Sequence, residues 1–259
     1  MRSKLIAAAL TLFGISAQGA LLIFTAELSS ESVSTPSPGT GFTIVTYDSA
    51  AHTLRVQAEF SGLLGNTTAS HIHAPTPPPS GAPSVATQTP SFTGFPLGVK
   101  AGTFDQTLDL TQASSFRAGY VTANGGVAGA EAALVSSLTD GTAYLNIHTT
   151  VVPGGEIRGF LQLDSDVDGV PDADDEFPNS GDVGGTVHIG DCDTGVENQV
   201  FEDGSTLSDL IGQAADGATN HGKFVSAVAQ LKNGWKKDGT LTAEEAEAIQ
   251  NCAAEASLP

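Results

Sequence analysis

The chain has 259 residues, with 29 acidic side chains against 10 basic ones and a formal net charge of −19. That balance excludes nucleic acid as a partner, since the phosphate backbone demands a basic surface, and it favours divalent cations. The length suits one large domain or two smaller ones, and the two cysteines allow one disulfide at most.

The first residues, MRSKLIAAALTLFGISAQGA, place Arg2 and Lys4 ahead of an apolar run from Leu5 to Ile15. Ala17-Gln18-Gly19 then forms a small-x-small site. This is the pattern of a secretory signal peptide cut near Gly19-Ala20, and its run is too short to cross a bilayer. No later stretch reaches membrane-spanning length. The expectation is a secreted, periplasmic or cell-surface protein with no membrane span.

Residues 21–163 are rich in Thr, Val, Gly and Pro and alternate in short segments. In TLRVQAEFSGL, Leu54, Val56, Ala58 and Phe60 alternate with polar neighbours, the period of a half-buried strand. GFTIVTYD before it, and AYLNIHTT and EIRGFLQL after it, read the same way. PTPPPSGAPS (75–84) reads as a proline-rich loop and VPGGE (152–156) as a tight turn between strands. TQASSFRAGYVTANGG suggests a short helix or an irregular crossover. Many short strands with turn signals imply a mainly β fold, an antiparallel sandwich or barrel.

Residues 164–181, DSDVDGVPDADDEFPNSG, are dominated by aspartate, and the composition of 182–259 then shifts toward Ala, Gln, Glu and Lys. Ser205 or Thr206 is placed to cap a helix through LSDLIGQAA. Phe224, Val225, Val228, Leu231 and Trp235 follow the spacing of one helix face, and Thr242 with Glu245 forms a capping box. A small helical domain of about three helices is expected, with a thin core. In an oxidising compartment Cys192 and Cys252 are most simply one disulfide that closes it.

The histidines carry the chemistry. Residues i and i+2 of a strand share a face, so SHIH puts His71 and His73 side by side with Ile72 opposite. AYLNIHTT puts Tyr144, Asn146 and His148 opposite Leu145 and Ile147, and GEIRGFL puts Glu156 and Arg158 opposite Ile157. If these strands are neighbours, the imidazoles converge on the outside of the barrel. Three neutral imidazoles with an open position suit copper or zinc. Asn146, Glu156 and Arg158 are placed to orient the rings or to steer an anion. Ordinary cross-strand and backbone hydrogen bonding is the plainer reading of the same residues. His52, His188 and His221 lack a partner pattern and read as structural or surface residues.

The ordered set FTAELS (24–29), GTGF (39–42), FSGL (60–63), SHIH (70–73), LNIHT (145–149) and GGEIRG (154–159) resembles a CHRD domain, the module named from chordin. It covers residues 21 to 163. The resemblance implies a β-sandwich outside the cytoplasm and no particular activity. More distantly, SHIH, NIHT and GGEIRG are similar in order to copper-zinc superoxide dismutases, whose copper sits on the outer face of a Greek-key barrel. By that likeness His71, His73 and His148 match copper-ligand positions. No histidine lies between His73 and His148, so the zinc-bridging position has no counterpart.

In the acidic segment Asp164, Asp166 and Asp168 alternate, Gly169 supplies a sharp turn, Val170 offers a carbonyl, and Asp172 and Asp175 complete an oxygen set. The pattern resembles an EF-hand loop and the calcium-binding thrombospondin type-3 repeat, which implies calcium. A disordered acidic linker is the alternative. KKDGTLTAEE echoes half an EF-hand loop but lacks its first acids, and reads as a turn and helix cap. Asn66-Thr67-Thr68 is formally a glycosylation sequon. Three functions follow: a copper- and calcium-binding secreted protein, an interaction protein of the cell surface or matrix with structural histidines, and a dismutase-like oxidoreductase.

Overall fold

The computed structural model describes residues 21–30, 36–75, 85–181 and 183–257. The expected signal peptide and most of the expected proline-rich loop lie outside the described residues. Two antiparallel sheets carry the first part of the chain. One has five strands in the order β5-β3-β2-β1-β8, with β1 at Leu21–Leu28, β2 at Thr40–Asp48, β3 at Thr53–Ser61, β5 at Gly102–Asp109 and β8 at Gln162–Leu163. The other has three in the order β4-β6-β7, with β4 at Thr67–His73, β6 at Tyr144–Thr149 and β7 at Ile157–Phe160.

Alternation decides what each sheet buries. Val45, Leu54, Val56 and Phe24 from the five-stranded sheet share one apolar core with Ile72, Leu145, Ile147 and Ile157 from the three-stranded sheet. The two sheets also meet at one margin, where Ser29 and Arg158 exchange both backbone hydrogen bonds. The crossover after β5 is more helical than its sequence suggests. A 3₁₀ turn at Ala113–Ser115 and helix α1 (Ala118–Ala123) lead into α2 (Val127–Thr139). Ala130, Leu134 and Leu138 of α2 fill the same core at helical spacing.

The C-terminal part has a second core of its own, around Val187, Ile189, Leu207, Phe224, Val228, Trp235 and Ile249. It is not purely helical. A hairpin of β9 (Thr186–Ile189) and β10 (Cys192–Glu197) precedes α3 (Leu207–Asp216), α4 (His221–Asp238) and α5 (Ala243–Glu255). The hairpin has a local cause: Gly190 takes a positive φ of 61° in a two-residue turn between alternating segments. Capping boxes start α3 at Thr206–Asp209 and α5 at Thr242–Glu245. Gly239, with a φ of 93°, ends α4, so KKDGT is a helix terminus and turn. Cys192 and Cys252 form the disulfide, and by the chain-entropy argument a loop of this length stabilises the fold by about 4 kcal/mol.

Candidate metal centre

Register on the three-stranded sheet sets the site. His71 pairs with Asn146, and Asn146 with Arg158; His73 pairs with Tyr144, and Tyr144 with Phe160. His148 lies opposite Ala69, diagonal to His71. Because Ile72, Leu145 and Ile147 point into the core, these partners stand together on the other face. One ring nitrogen from each of His71, His73 and His148 lies within 4.8 Å of the other two. Ring centroids are 4.6 Å apart for His71 and His148, and 4.8 Å for His71 and His73. Neighbouring strands therefore bring the imidazoles together as the pattern requires.

The face points away from the core, yet it is largely closed to water, with His148 half-buried. His71 is 7% exposed, His73 3% and Asn146 1%. Tyr144 stacks on His73 with centroids 4.6 Å apart and planes 9° from parallel. Part of the cover is the turn between β6 and β7, which folds back over its own strand. The Pro153 carbonyl lies 2.8 Å from His148 Nδ1, and the Gly154 carbonyl accepts from Asn146 Nδ2 at 3.3 Å. A carbonyl only accepts, so Nδ1 of His148 carries the proton and Nε2 keeps its lone pair. Gly155 makes the turn possible. It has a φ of 117°, and a Cβ there would overlap the Asn146 amide.

Four buried imidazole nitrogens then have no hydrogen-bond partner among the described residues: His71 Nδ1, both ring nitrogens of His73, and His148 Nε2. Leaving a buried polar atom unsatisfied costs about 1–3 kcal/mol. A neutral ring carries one lone pair and one N–H, so a metal would take one nitrogen from each ring, three of these four, and the second His73 nitrogen would remain a donor. Burial, then the other imidazoles, pushes His71 down to about 3. Burial, His148 and the Arg158 charge push His73 down to about 4, and burial lowers His148. All three rings are neutral near pH 7, the form that ligates metal. The set fits a nitrogen-preferring ion such as copper or zinc.

The surrounding residues divide. Arg158 lies over the Tyr144 ring at 5.3 Å, next to the histidines, where its charge acts on His73. Asn146 sits between His71 and Arg158 in the cross-strand row. Glu156 does a different job from the ring orientation expected of it. It is fully buried, and its carboxylate accepts from Ser37 Oγ, the backbone N–H groups of Leu64 and Gly65, and Thr149 Oγ1. It fastens the β3–β4 connection rather than an imidazole. Backbone carbonyls of the VPGG turn hold His148 and Asn146 instead, and a residue-type reading has no signal for them.

The remaining histidines lie apart. His52 Nδ1 is 2.8 Å from Glu131 Oε1, which also accepts from the Tyr47 hydroxyl, and this fastens α2 to the β2–β3 turn. His188 stands 3.9 Å from Asp193, and His221 Nε2 is 3.2 Å from the Ala254 carbonyl.

In the acidic segment, carboxylate oxygens of Asp164, Asp166 and Asp168 lie within 4.8 Å of one another. Asp164 is fully buried; Thr25 Oγ1 donates to its Oδ2 at 2.7 Å, and its Oδ1 has no partner among the described residues. Oδ2 of Asp168 and Oδ2 of Asp175 are likewise buried and unpartnered. Burial first, then repulsion from Asp166, Asp175 and Asp164, raises Asp168 to about 6. Asp172 stands outside this group, because Ser165 N and Oγ occupy its two oxygens at 2.6 and 2.7 Å. The Val170 N–H donates to Asp168 Oδ1.

Two antiparallel sheets around one core, with three imidazoles converging on the outer face of the smaller sheet, define a mainly β protein with a histidine-based candidate metal site. Residues 24–161, more than half of the chain, match the CHRD domain, and the protein belongs to the CHRD-domain family. The match ends before the acidic segment. No curated protein and no solved structure matches the chain.

Proposed function

We propose that this is a secreted metal-binding protein. Its CHRD domain, a Greek-key β-sandwich, holds one copper ion on His71, His73 and His148, and the segment 164–181 holds calcium. The carrying observation is the group of four buried, unpartnered imidazole nitrogens drawn from two strands. Histidines kept for packing and hydrogen bonding alone would find partners. For the second site the support is the unpartnered oxygens of Asp164, Asp168 and Asp175.

The test is elemental analysis of exported protein dialysed against a mild chelator, beside a variant with His71, His73 and His148 all replaced by alanine. About one copper per chain in the wild type and none in the variant supports the reading. No transition metal in either defeats it. Zinc in place of copper would keep the site and change its ion. For the acidic segment, calcium should slow proteolysis near Asp168; equal cleavage in calcium and in chelator would remove that part.

The closed cover favours one alternative in particular. With His71 and His73 almost wholly buried, a diffusing reactant has poor access, which suits a non-catalytic interaction protein of the cell surface or matrix better than a dismutase-like oxidoreductase. Copper loading without superoxide turnover would exclude the oxidoreductase.

A further inference from the structure

We infer that the calcium site is a clamp: one cation, by joining carboxylates anchored to opposite sides of it, docks the C-terminal helical unit onto the β-sheet unit. This rests on the calcium reading above and adds what the cation does to the rest of the chain.

The anchors are specific. On one side Asp164 follows β8 directly; its N–H donates to the Ile23 carbonyl at 3.0 Å, and its Oδ2 accepts from Thr25 Oγ1. Ile23 and Thr25 belong to β1, which carries the main core residue Phe24. On the other side, Asp166 Oδ2 accepts from the Ser180 N–H at 2.7 Å. The Ser180 hydroxyl is 2.7 Å from Asp209 Oδ2, closer than the 3.1 Å to its other acceptor, the Phe177 carbonyl. Asp209 is the acid of the α3 capping box, and the same oxygen accepts from Thr206 N and Oγ1. Asp175 adds a second tie. Its carboxylate fills the space beside Gly204, where a Cβ would overlap it, and the neighbouring Glu176 N–H donates to the Asp203 carbonyl at 3.0 Å.

Asp164, Asp166 and Asp168 thus crowd one charged centre, while the ties of Asp164, Asp166 and Asp175 lead to elements of different cores. Without a cation the like charges of these carboxylates repel one another across the anchors. Bound calcium reverses the sign of that interaction and draws both anchors inward. A ligand that binds only the docked form must stabilise docking by the same free energy. Asp164, fully buried and with an Oδ1 that meets no partner among the described residues, supports a built site rather than a solvated acidic run.

The chain provides its own reporter. Trp235 is the one tryptophan, it lies in the C-terminal core, and it is 6% exposed. Calcium chloride should raise the midpoint of thermal unfolding followed by Trp235 fluorescence by about 5 °C or more over the same protein in chelator. Ser180→Ala keeps every carboxylate. It should therefore still bind calcium by calorimetry, within about threefold of wild type, while losing at least half of the Trp235 shift. Asp168→Asn should bring the midpoint in calcium down to that of wild type in chelator. Calcium binding with no Trp235 shift, or a full shift in Ser180→Ala, overturns the clamp and leaves the calcium site standing. Absence of calorimetric binding in the wild type overturns both.

Discussion

The two candidate ion sites of this chain are built in opposite ways. The histidine site takes its ligands from β4 and β6, far apart in sequence, and the cross-strand register aligns them. The acidic site takes Asp164, Asp166 and Asp168 from five consecutive positions, and the chain needs only a tight loop to gather them. A sheet face gives the imidazoles a largely dry, rigid frame, and burial keeps the rings neutral. A loop gives oxygen ligands proximity but also mutual repulsion. The first site suits an ion that replaces lost hydrogen bonds, and the second an ion that cancels charge.

If the frame makes the histidine site, breaking the frame should cost most. Gly155→Ala forces a Cβ into the Asn146 amide at a φ of 117°. It should destabilise the apoprotein by about 2–4 kcal/mol in urea unfolding and lower copper retention with it. Unchanged stability would mean that the turn is not part of the frame. Ile72→Ala, on the core side of the same strand, should cost a comparable 2–5 kcal/mol or so without removing a ligand. Copper that stays stoichiometric in the folded fraction would separate frame from ligand.

The two sites should also answer acid differently. His71, His73 and His148 have folded pKa values below the ordinary 6.5, so in the metal-free protein the unfolded chain takes up protons first. Their contribution to stability is complete above pH 6.5 and is lost as pH falls from there toward 3. A thermal midpoint that drops over that window for wild type, but not for the triple-alanine variant, would match. Asp168 behaves oppositely: its carboxyl is raised to about 6, so protonation below pH 6 relieves repulsion in the calcium-free protein. Stabilisation by calcium should therefore be largest at pH 7 and shrink below 6. A calcium effect that grows on acidification would contradict this. The smallest expected effect is Asp172→Asn, whose carboxylate is held by Ser165 outside the cluster. Its calcium affinity by calorimetry should change by no more than about threefold.

Much of this was legible from residue order. The period-two runs through Val45, Val56 and Ile147 name strands and their buried faces. The boxes at Thr206–Asp209 and Thr242–Glu245 mark helix starts, since capping is a contact over three residues. Elements whose pattern is weak were not legible. Helix α2 shows only an Ala130, Leu134, Leu138 stripe among small residues, and glycines precede it. Strand β5 buries little beyond Phe104 and Leu108. The β9–β10 hairpin is too short to stand out from a helical region. At the site, the ligand residues could be proposed from H-x-H and a later strand histidine. Their closure by Pro153, Gly154 and Tyr144, and the diversion of Glu156 and Asp172 to other partners, could not.

The sequence by itself determined which residues share a strand face, where helices begin, and that acidic side chains crowd positions 164–175. Those are contacts within a few residues, governed by backbone period and local hydrogen bonding. Tertiary structure alone decided that β4, β6 and β7 are neighbours, that four imidazole nitrogens are buried with no partner among the described residues, and that Ser180 ties the acidic loop to α3. These depend on strand order, register and burial. Each is set by packing between segments far apart in the chain, and no local pattern encodes it.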